Sequence, residues 1–258
     1  DKMFLVIWMI FLDMDGTLLD SNSQIKEESK KILKKLKNDG KIIVIVTGRI
    51  LSSAMRLLDS DFVDYVLSNN GARWYSYQTN EIIYERILDN SMLHQFFEQY
   101  KNYFERIDVA TITWDHFSTV EELEEFLSNN SSVYQISAGL SNCDIFEMLE
   151  EFKQNYPQFQ FQVMQDSFSE KQWLNILYKN INKGKSIVLF SKFLKQPLDS
   201  SICFGDGLND IPMFDVCGIP VAMGNSLQKL KEKAKFITNS NDDNGIYKFL
   251  YHYFYEEV

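Results

Sequence analysis

The chain has 258 residues, enough for two domains or one large one, and its 45% hydrophobic and 24% charged content are those of a soluble globular protein. A formal charge of −10 argues against a nucleic-acid groove, which needs basic stripes to meet phosphate backbones. Three cysteines (Cys143, Cys203 and Cys217) without paired spacing speak for a reducing compartment, with the thiols as small buried hydrophobes.

The first predicted element is a strand over residues 6–12, a continuous apolar run that ends at polar residues and a Gly turn signal. The longer apolar run from Met3 to Leu12 that contains it is too short to span a bilayer and meets Asp13 without the small-residue cleavage site of a signal peptide. It therefore reads as a core strand, and the protein as cytoplasmic. Residues 24–38 carry Ile25, Ile32, Leu33 and Leu36 at helical spacing, which predicts an amphipathic helix closed by Asp39-Gly40. The strand 41–46 follows and completes a β–α–β unit with a right-handed crossover. A helix after Gly48, with Ala54, Leu57 and Leu58 on its apolar face, leads to a short strand at 65–67. Asn69-Asn70-Gly71 then turns the chain into a hairpin through Tyr75 and residues 82–84.

From residue 85 the periodicity changes. Residues 89–104 read as a helix, 109–113 and 133–137 as half-exposed strands, and Phe146, Leu149 and Phe152 as the stripe of another helix. Strands at 159–163 and 173–177 follow. Helices set against alternating strands predict an α+β module with its helices on one sheet face. Strands at 202–204, 219–222 and 236–238 return to the first pattern. The expected division is a core of 1–84 with 180–258 and an inserted module of 85–179. Trp114, Phe117, Tyr134 and Trp173 are pocket candidates in that module, with core packing the better reading for at least two.

Asp13-Met14-Asp15-Gly16-Thr17 places two carboxylates two residues apart at the end of the first strand. In an open parallel sheet ligands bind at the carboxyl ends of strands, so both acids are expected at a crevice mouth, with Gly16 allowing a sharp turn. Two close carboxylates repel; one holds a proton while the other ionises, or a cation sits between them. The pair suits a carboxylate nucleophile, a second acid/base and a metal. Taken alone, it reads equally as a turn.

Three further signals shift that balance. The strand 41–46 ends at Thr47-Gly48-Arg49, the strand 201–204 ends at Gly205-Asp206-Gly207-Leu208-Asn209-Asp210, and Lys183-Gly184 precedes an apolar segment over 187–190. A hydroxyl and a Lys offset charge on transferring phosphoryl oxygens, and acidic side chains hold a divalent cation. Each signal also has a plainer reading: Thr47 as a helix N-cap, Lys183 as a solvated charge, Asp206 and Asp210 as turn residues. Arg49 is either a phosphate contact or the partner of a nearby acid. Gly205–Asp210 departs from a dinucleotide fingerprint at its sixth position, and Gly184-Lys185-Ser186 has Lys179 where a phosphate-binding loop needs Gly. His94, His116 and His252 lack metal-ligand spacing.

The four segments, in this order and spacing, resemble the haloacid dehalogenase superfamily of phosphohydrolases. Asn69-Asn70-Gly71-Ala72, Asp210-Ile211-Pro212-Met213 and Ala222-Met223-Gly224-Asn225 narrow the resemblance to the Cof-like subfamily. It covers residues 4–80 and 180–250 and is weak between them. It implies an α/β fold: a Rossmann-like doubly wound parallel-sheet core with an inserted α+β cap that selects the substrate. By this resemblance Asp13 is the nucleophile that becomes an aspartyl-phosphate, and Asp15 is the acid and then the base. Thr47, Gly48, Lys183 and Asn209 are the phosphate-binding positions, Asn209 orienting Lys183 or the phosphate. Magnesium is held by Asp13, the Asp15 carbonyl and Asp206, with Asp210 close by, in keeping with a hard cation that takes oxygen ligands. A neighbouring metal favours ionised Asp13, while Asp15 keeps a proton to donate. Asn175 stands where the subfamily more commonly carries an acidic residue, which puts any role tied to that charge aside.

The implied activity is magnesium-dependent hydrolysis of a small phosphorylated metabolite, a sugar phosphate or nucleotide-like cofactor. No nucleic acid, membrane or protein partner is expected. The core motifs do not separate this activity from a phosphomutase. A non-catalytic phospholigand-binding protein fits less well, because no catalytic or metal-site Asp is missing.

Overall fold

Strand β1 (Met9–Leu12) is apolar at every position and fully buried, the pattern of a parallel strand covered on both faces. The computed structural model describes residues 8–129, 132–140, 145–165 and 172–256. After β1 come β2 (Ile42–Val46), β3 (Tyr65–Ser68), β4 (Arg73–Ser76) and β5 (Glu81–Glu85). The next five are β6 (Phe104–Ala110), β7 (Trp114–Phe117), β8 (Gln135–Leu140), β9 (Phe159–Gln165) and β10 (Gln172–Tyr178). The last three are β11 (Ser201–Gly205), β12 (Ile219–Ala222) and β13 (Phe236–Ile237).

These strands form an eight-stranded sheet ordered β13-β12-β11-β1-β2-β3-β4-β5 and a five-stranded sheet ordered β7-β6-β8-β10-β9. Pairing in the larger sheet is parallel from β13 to β3 and becomes antiparallel between β3 and β4. The chain runs outward from β1 through β2 and β3 on one side, and through β11, β12 and β13 on the other. The carboxyl ends of β1, β2 and β11 therefore meet where the strand order reverses, the place open α/β sheets bind ligands.

The chain divides into two compact units: the described residues up to Ile83 together with those from Asn182, and Tyr84–Ile181. In the first, helices Glu27–Asn38 and Gly245–Tyr255 bury Ile32, Leu33, Ile246 and Leu250 against Ile10, Leu12, Ile43 and Ile45. The opposite face of β1 meets helix Lys183–Leu194, where Phe190 lies edge-on to Phe11 and Trp74, with centroids 6.5 and 5.3 Å away. The sheet is thus doubly wound, as expected.

In the second unit, Phe96, Leu123 and Phe152 from three helices share one cluster with Ile107, Ile136, Leu174 and Ile176. Those strand residues fall on one side of the pleat, so the helices cover one face of an antiparallel sheet. No helix among the described residues is long and apolar enough to cross a membrane.

Several elements differ from expectation for local reasons. The helix expected over 89–104 ends at Tyr100, a 3-10 turn takes Lys101–Tyr103, and Phe104 already pairs in β6. The strand expected at 109–113 stops at Ala110. Thr111-Ile112-Thr113 is β-branched and reads as strand, yet the Thr111 amide donates to the Thr113 carbonyl at 2.9 Å and closes a turn into β7. Phe146 is 56% exposed; its helix buries Ile145 and Phe152 instead. The helix after Gly48 is a single turn, Leu51–Met55. Cys203 and Cys217 are buried free thiols, and Cys143 lies outside the described residues.

Candidate active site

Four chain segments deliver the site, and local backbone chemistry explains each. β1 ends at Leu12, and the amide of Asp13 donates to the Phe204 carbonyl on β11 at 3.1 Å, holding the two strand ends together. The chain then closes a tight turn over Met14–Leu18 in which Gly16 has φ +74°. A Cβ at Gly16 would stand 2.3 Å from Asp206 Oδ2, so glycine serves both the turn and the close approach of this loop to Asp206. The buried Thr17 hydroxyl donates to Asp206 Oδ1 at 3.0 Å, and Asn225 Nδ2 donates to the Gly16 carbonyl at 2.8 Å.

Lys183 opens its helix, where Asn182 caps by accepting from the Lys185 amide at 2.8 Å. A cation in the first helical turn opposes the helix dipole. Carboxylates offset that cost: Lys183 Nζ donates to Asp13 Oδ1, and to Asp210 Oδ1 at 2.6 Å. Lys183 is 1% exposed, which rules out a solvated surface charge. Asp210 is 0% exposed, and its Oδ2 accepts from the amides of Asp206 (3.0 Å) and Gly207 (2.9 Å). It is a turn residue and a site residue at once, because its two oxygens face different partners.

Asp13, Asp206 and Asp210 can each aim an oxygen so that all three lie within 4.8 Å of one another. Three carboxylates then face one ammonium, leaving two formal negative charges in a buried place. Burial pushes Asp13 well above the usual carboxylate range; Lys183 pulls it down, while Asp210 and Asp206 add to the rise. Burial, and then Asp210, push Asp206 up to about 6. Burial alone would lower Lys183, but the Asp13 and Asp210 carboxylates outweigh it and hold the ammonium more firmly than usual. An all-oxygen donor set with excess negative charge fits a hard divalent cation. Asp210 is the most committed of the three, since both its oxygens already accept hydrogen bonds.

Thr47 follows β2 and is 1% exposed; its hydroxyl accepts from the Arg49 amide at 3.1 Å, and the helix beyond begins only at Leu51, so Thr47 is not its cap. The Thr47 carbonyl accepts from the Asn70 amide at 2.8 Å. Asn70 has φ +54° in the turn after β3, and its Oδ1 accepts from Asn209 Nδ2 at 3.4 Å. Thus Asn209 reaches Asn70, while Asp13 and Asp210 orient Lys183. Gly48 lies beside the Asn70 amide group.

Asp15 points elsewhere. Its carboxylate, 59% exposed, is clasped by Arg49: Nε to Oδ2 at 2.8 Å and the terminal nitrogen to Oδ1 at 2.6 Å. Of the two partners considered for Arg49, the acid is the one it holds here. The hydrogen bond to Asp15, with a smaller contribution from Asp13, outweighs burial and keeps the guanidinium charged.

Thr17 and Asn225 carry no pattern that marks them as site residues, although both lie within or beside motifs already noted. In the second unit, Tyr134 is buried with its hydroxyl donating to Glu85 at 2.8 Å, and Phe117 packs on Phe126 at 4.9 Å. Trp173 lies under Arg106 at 5.5 Å. Asn175 is buried and accepts from Ser137 Oγ.

A family model described as haloacid dehalogenase-like hydrolase matches residues 10–250. The chain is 27% identical to 5-amino-6-(5-phospho-D-ribitylamino)uracil phosphatase YcsE of Bacillus subtilis (strain 168), over 96% of each chain. It is 23% identical to phosphatase YwpJ of the same organism, over 95% of this chain and 99% of that one. Among solved structures, BT1666 of Bacteroides thetaiotaomicron shares the fold with a TM-score of 0.82 at 23% identity, covering 98% of this chain and 97% of the other. The subclass IIB sugar phosphatase BT4131 does so with a TM-score of 0.75 at 22% identity, covering 95% and 98%.

Proposed function

Because the chain belongs to the haloacid dehalogenase-like hydrolases, and is a phosphohydrolase of their Cof-like type, we propose that it is a magnesium-dependent phosphatase of a small phosphorylated metabolite, working through an aspartyl-phosphate on Asp13. The observation that carries this reading is the buried Asp13–Lys183–Asp210 contact beside Asp206, at the strand ends where the sheet order reverses.

The chemistry divides among residues as follows. Lys183 fixes one oxygen of Asp13, and the carboxylate attacks phosphorus as the ester P–O bond breaks. Asp15, two residues on, gives its proton to the departing oxygen. Water then attacks the phosphorus of the aspartyl-phosphate and gives a proton to Asp15, so that Asp13 is regenerated and inorganic phosphate leaves. The Lys183 ammonium has three donors, two of which are spent on Asp13 and Asp210, leaving one for a phosphoryl oxygen. The Thr47 hydroxyl supplies a second donor, with Gly48 and Asn209 shaping the same rim. Asp13 and Asp206, with the Asp15 carbonyl and Asp210 beside them, would hold the cation. When bound it offsets charge on the transferring oxygens.

The inserted unit is assigned the choice of substrate. The relative named for a phosphorylated ribitylamino-uracil supports a small phosphorylated polyol or sugar derivative as the substrate class.

The test is inorganic phosphate release from a panel of phosphorylated metabolites, with magnesium and with chelator, alongside Asp13→Asn. Magnesium-dependent release that vanishes in the folded variant is expected. Substantial release by Asp13→Asn would remove the nucleophile assignment. Substrate isomerisation without free phosphate would make the protein a mutase.

A further inference from the structure

We infer that the Arg49 guanidinium is exchanged between Asp15 and the phosphate group of the substrate, so that phosphate arriving in the site is what releases Asp15 for its acid and base work. This rests on the phosphatase reading above and adds a trigger to it.

Both Asp15 oxygens are occupied by the Arg49 fork. Held so, the carboxylate is turned to Arg49 rather than toward a leaving oxygen. The pair is nevertheless cheap to open. The Asp15 side chain is 59% exposed, and ion pairs open to water are weak. Arg49 is also placed to take a second anion: it follows Thr47-Gly48 at the end of β2, with its amide bound to the Thr47 hydroxyl. The geometry that matches a carboxylate bidentately also matches phosphate, and a phosphate dianion is the stronger partner. Lys183 has only one donor left beyond its two carboxylates, so a phosphate entering from the mouth still has charge for Arg49 to meet, and Arg49 holds the weaker of its two anions.

The experiment measures the affinity of inorganic phosphate, with magnesium present, by calorimetric titration of the full chain. Wild type, Asp15→Asn, Arg49→Gln and the double variant form a cycle. Removing the competing carboxylate with Asp15→Asn tightens phosphate about threefold to fivefold, and Arg49→Gln weakens it about tenfold. In the Arg49→Gln background, Asp15→Asn changes nothing. In steady state, Arg49→Gln raises KM and largely spares kcat, because Asp15 is already free.

Equal tightening by Asp15→Asn in both backgrounds would show plain charge repulsion and overturn the exchange. So would a fall in kcat at constant KM, which marks Arg49 as a holder of Asp15 during catalysis. Wild type that binds no phosphate would overturn the phosphate site itself along with the exchange, whereas binding with additive effects overturns the exchange alone.

Discussion

Lys183 and Asp210 stand 27 residues apart in the chain, and their side chains meet at 2.6 Å where neither touches solvent. The same Asp210 carboxylate accepts from the amides of Asp206 and Gly207. One buried acid therefore positions both the ammonium that steadies Asp13 and the loop that carries Asp206. Geometry of this kind exists to hold charges close together and costs stability to keep.

Lys183→Met removes the ammonium paired with two buried carboxylates, Asp13 and Asp210, beside the half-buried Asp206. Phosphate release should disappear, and unfolding free energy without magnesium should fall by about 3–5 kcal/mol at neutral pH, as when a buried pair loses one partner. The loss should shrink toward pH 5, where carboxylates already raised by burial accept protons. Urea unfolding at the two pH values checks both. A change below about 1 kcal/mol at neutral pH would mean the cluster relaxes without its lysine.

Magnesium binding should strengthen with pH. Asp206 is pushed up to about 6 in the metal-free fold against an ordinary 3.8. Between those values the folded chain binds a proton that the unfolded chain has lost, so this group's contribution to stability is present below 3.8 and lost as pH rises through about 6. A cation needs the ionised form, so its stabilising effect grows over the same interval. Thermal unfolding with and without magnesium should show a larger magnesium-induced shift at pH 7.5 than at pH 5. Equal shifts would rule out Asp206 as the titrating ligand.

Thr17→Val keeps the shape of a side chain that is 2% exposed and deletes its hydrogen bond to Asp206 Oδ1. Groups that orient a metal ligand typically matter about 10-fold to 100-fold in affinity. Magnesium titration of activity should move at least to the lower end of that range. An unmoved titration would leave Thr17 as packing only.

Gly184→Ala should displace the helix that begins with Lys183. A Cβ at Gly184 would lie 2.0 Å from the Pro212 carbonyl, a backbone atom that cannot swing away. The overpacking should cost about 1–3 kcal/mol and lower kcat together with stability. Stability within about 0.5 kcal/mol of wild type would show that the Lys183 helix moves away from Pro212 freely.

The strands and the motif residues were legible because they rest on local signals. The apolar runs at β1, β2 and β11 and the polar residues that stop them are visible without any partner, and Asp13, Lys183, Asp206 and Asp210 do converge. Where expectation failed, a contact the sequence does not display was responsible. Thr111-Ile112-Thr113 has the composition of a strand, and hydrogen bonds between Thr111 and Thr113 make it a turn. Phe146 sits one position from Ile145, and only the packed helix shows which of them faces the cluster. Arg49 had two readings, and the acid partner it holds, Asp15, lies 34 residues away in the chain.

The sequence by itself therefore determined the class of fold, its parallel core, the family and the residues gathered at the strand ends, because periodicity, turn chemistry and motif spacing are properties of neighbours along the chain. Only the tertiary structure decided that Lys183 is sealed between Asp13 and Asp210, that Thr17 braces Asp206, and that Asp15 rests in the fork of Arg49. Those outcomes depend on burial and on distances of a few ångströms between segments far apart in the chain, where a low dielectric makes each charge sensitive to the partner it meets.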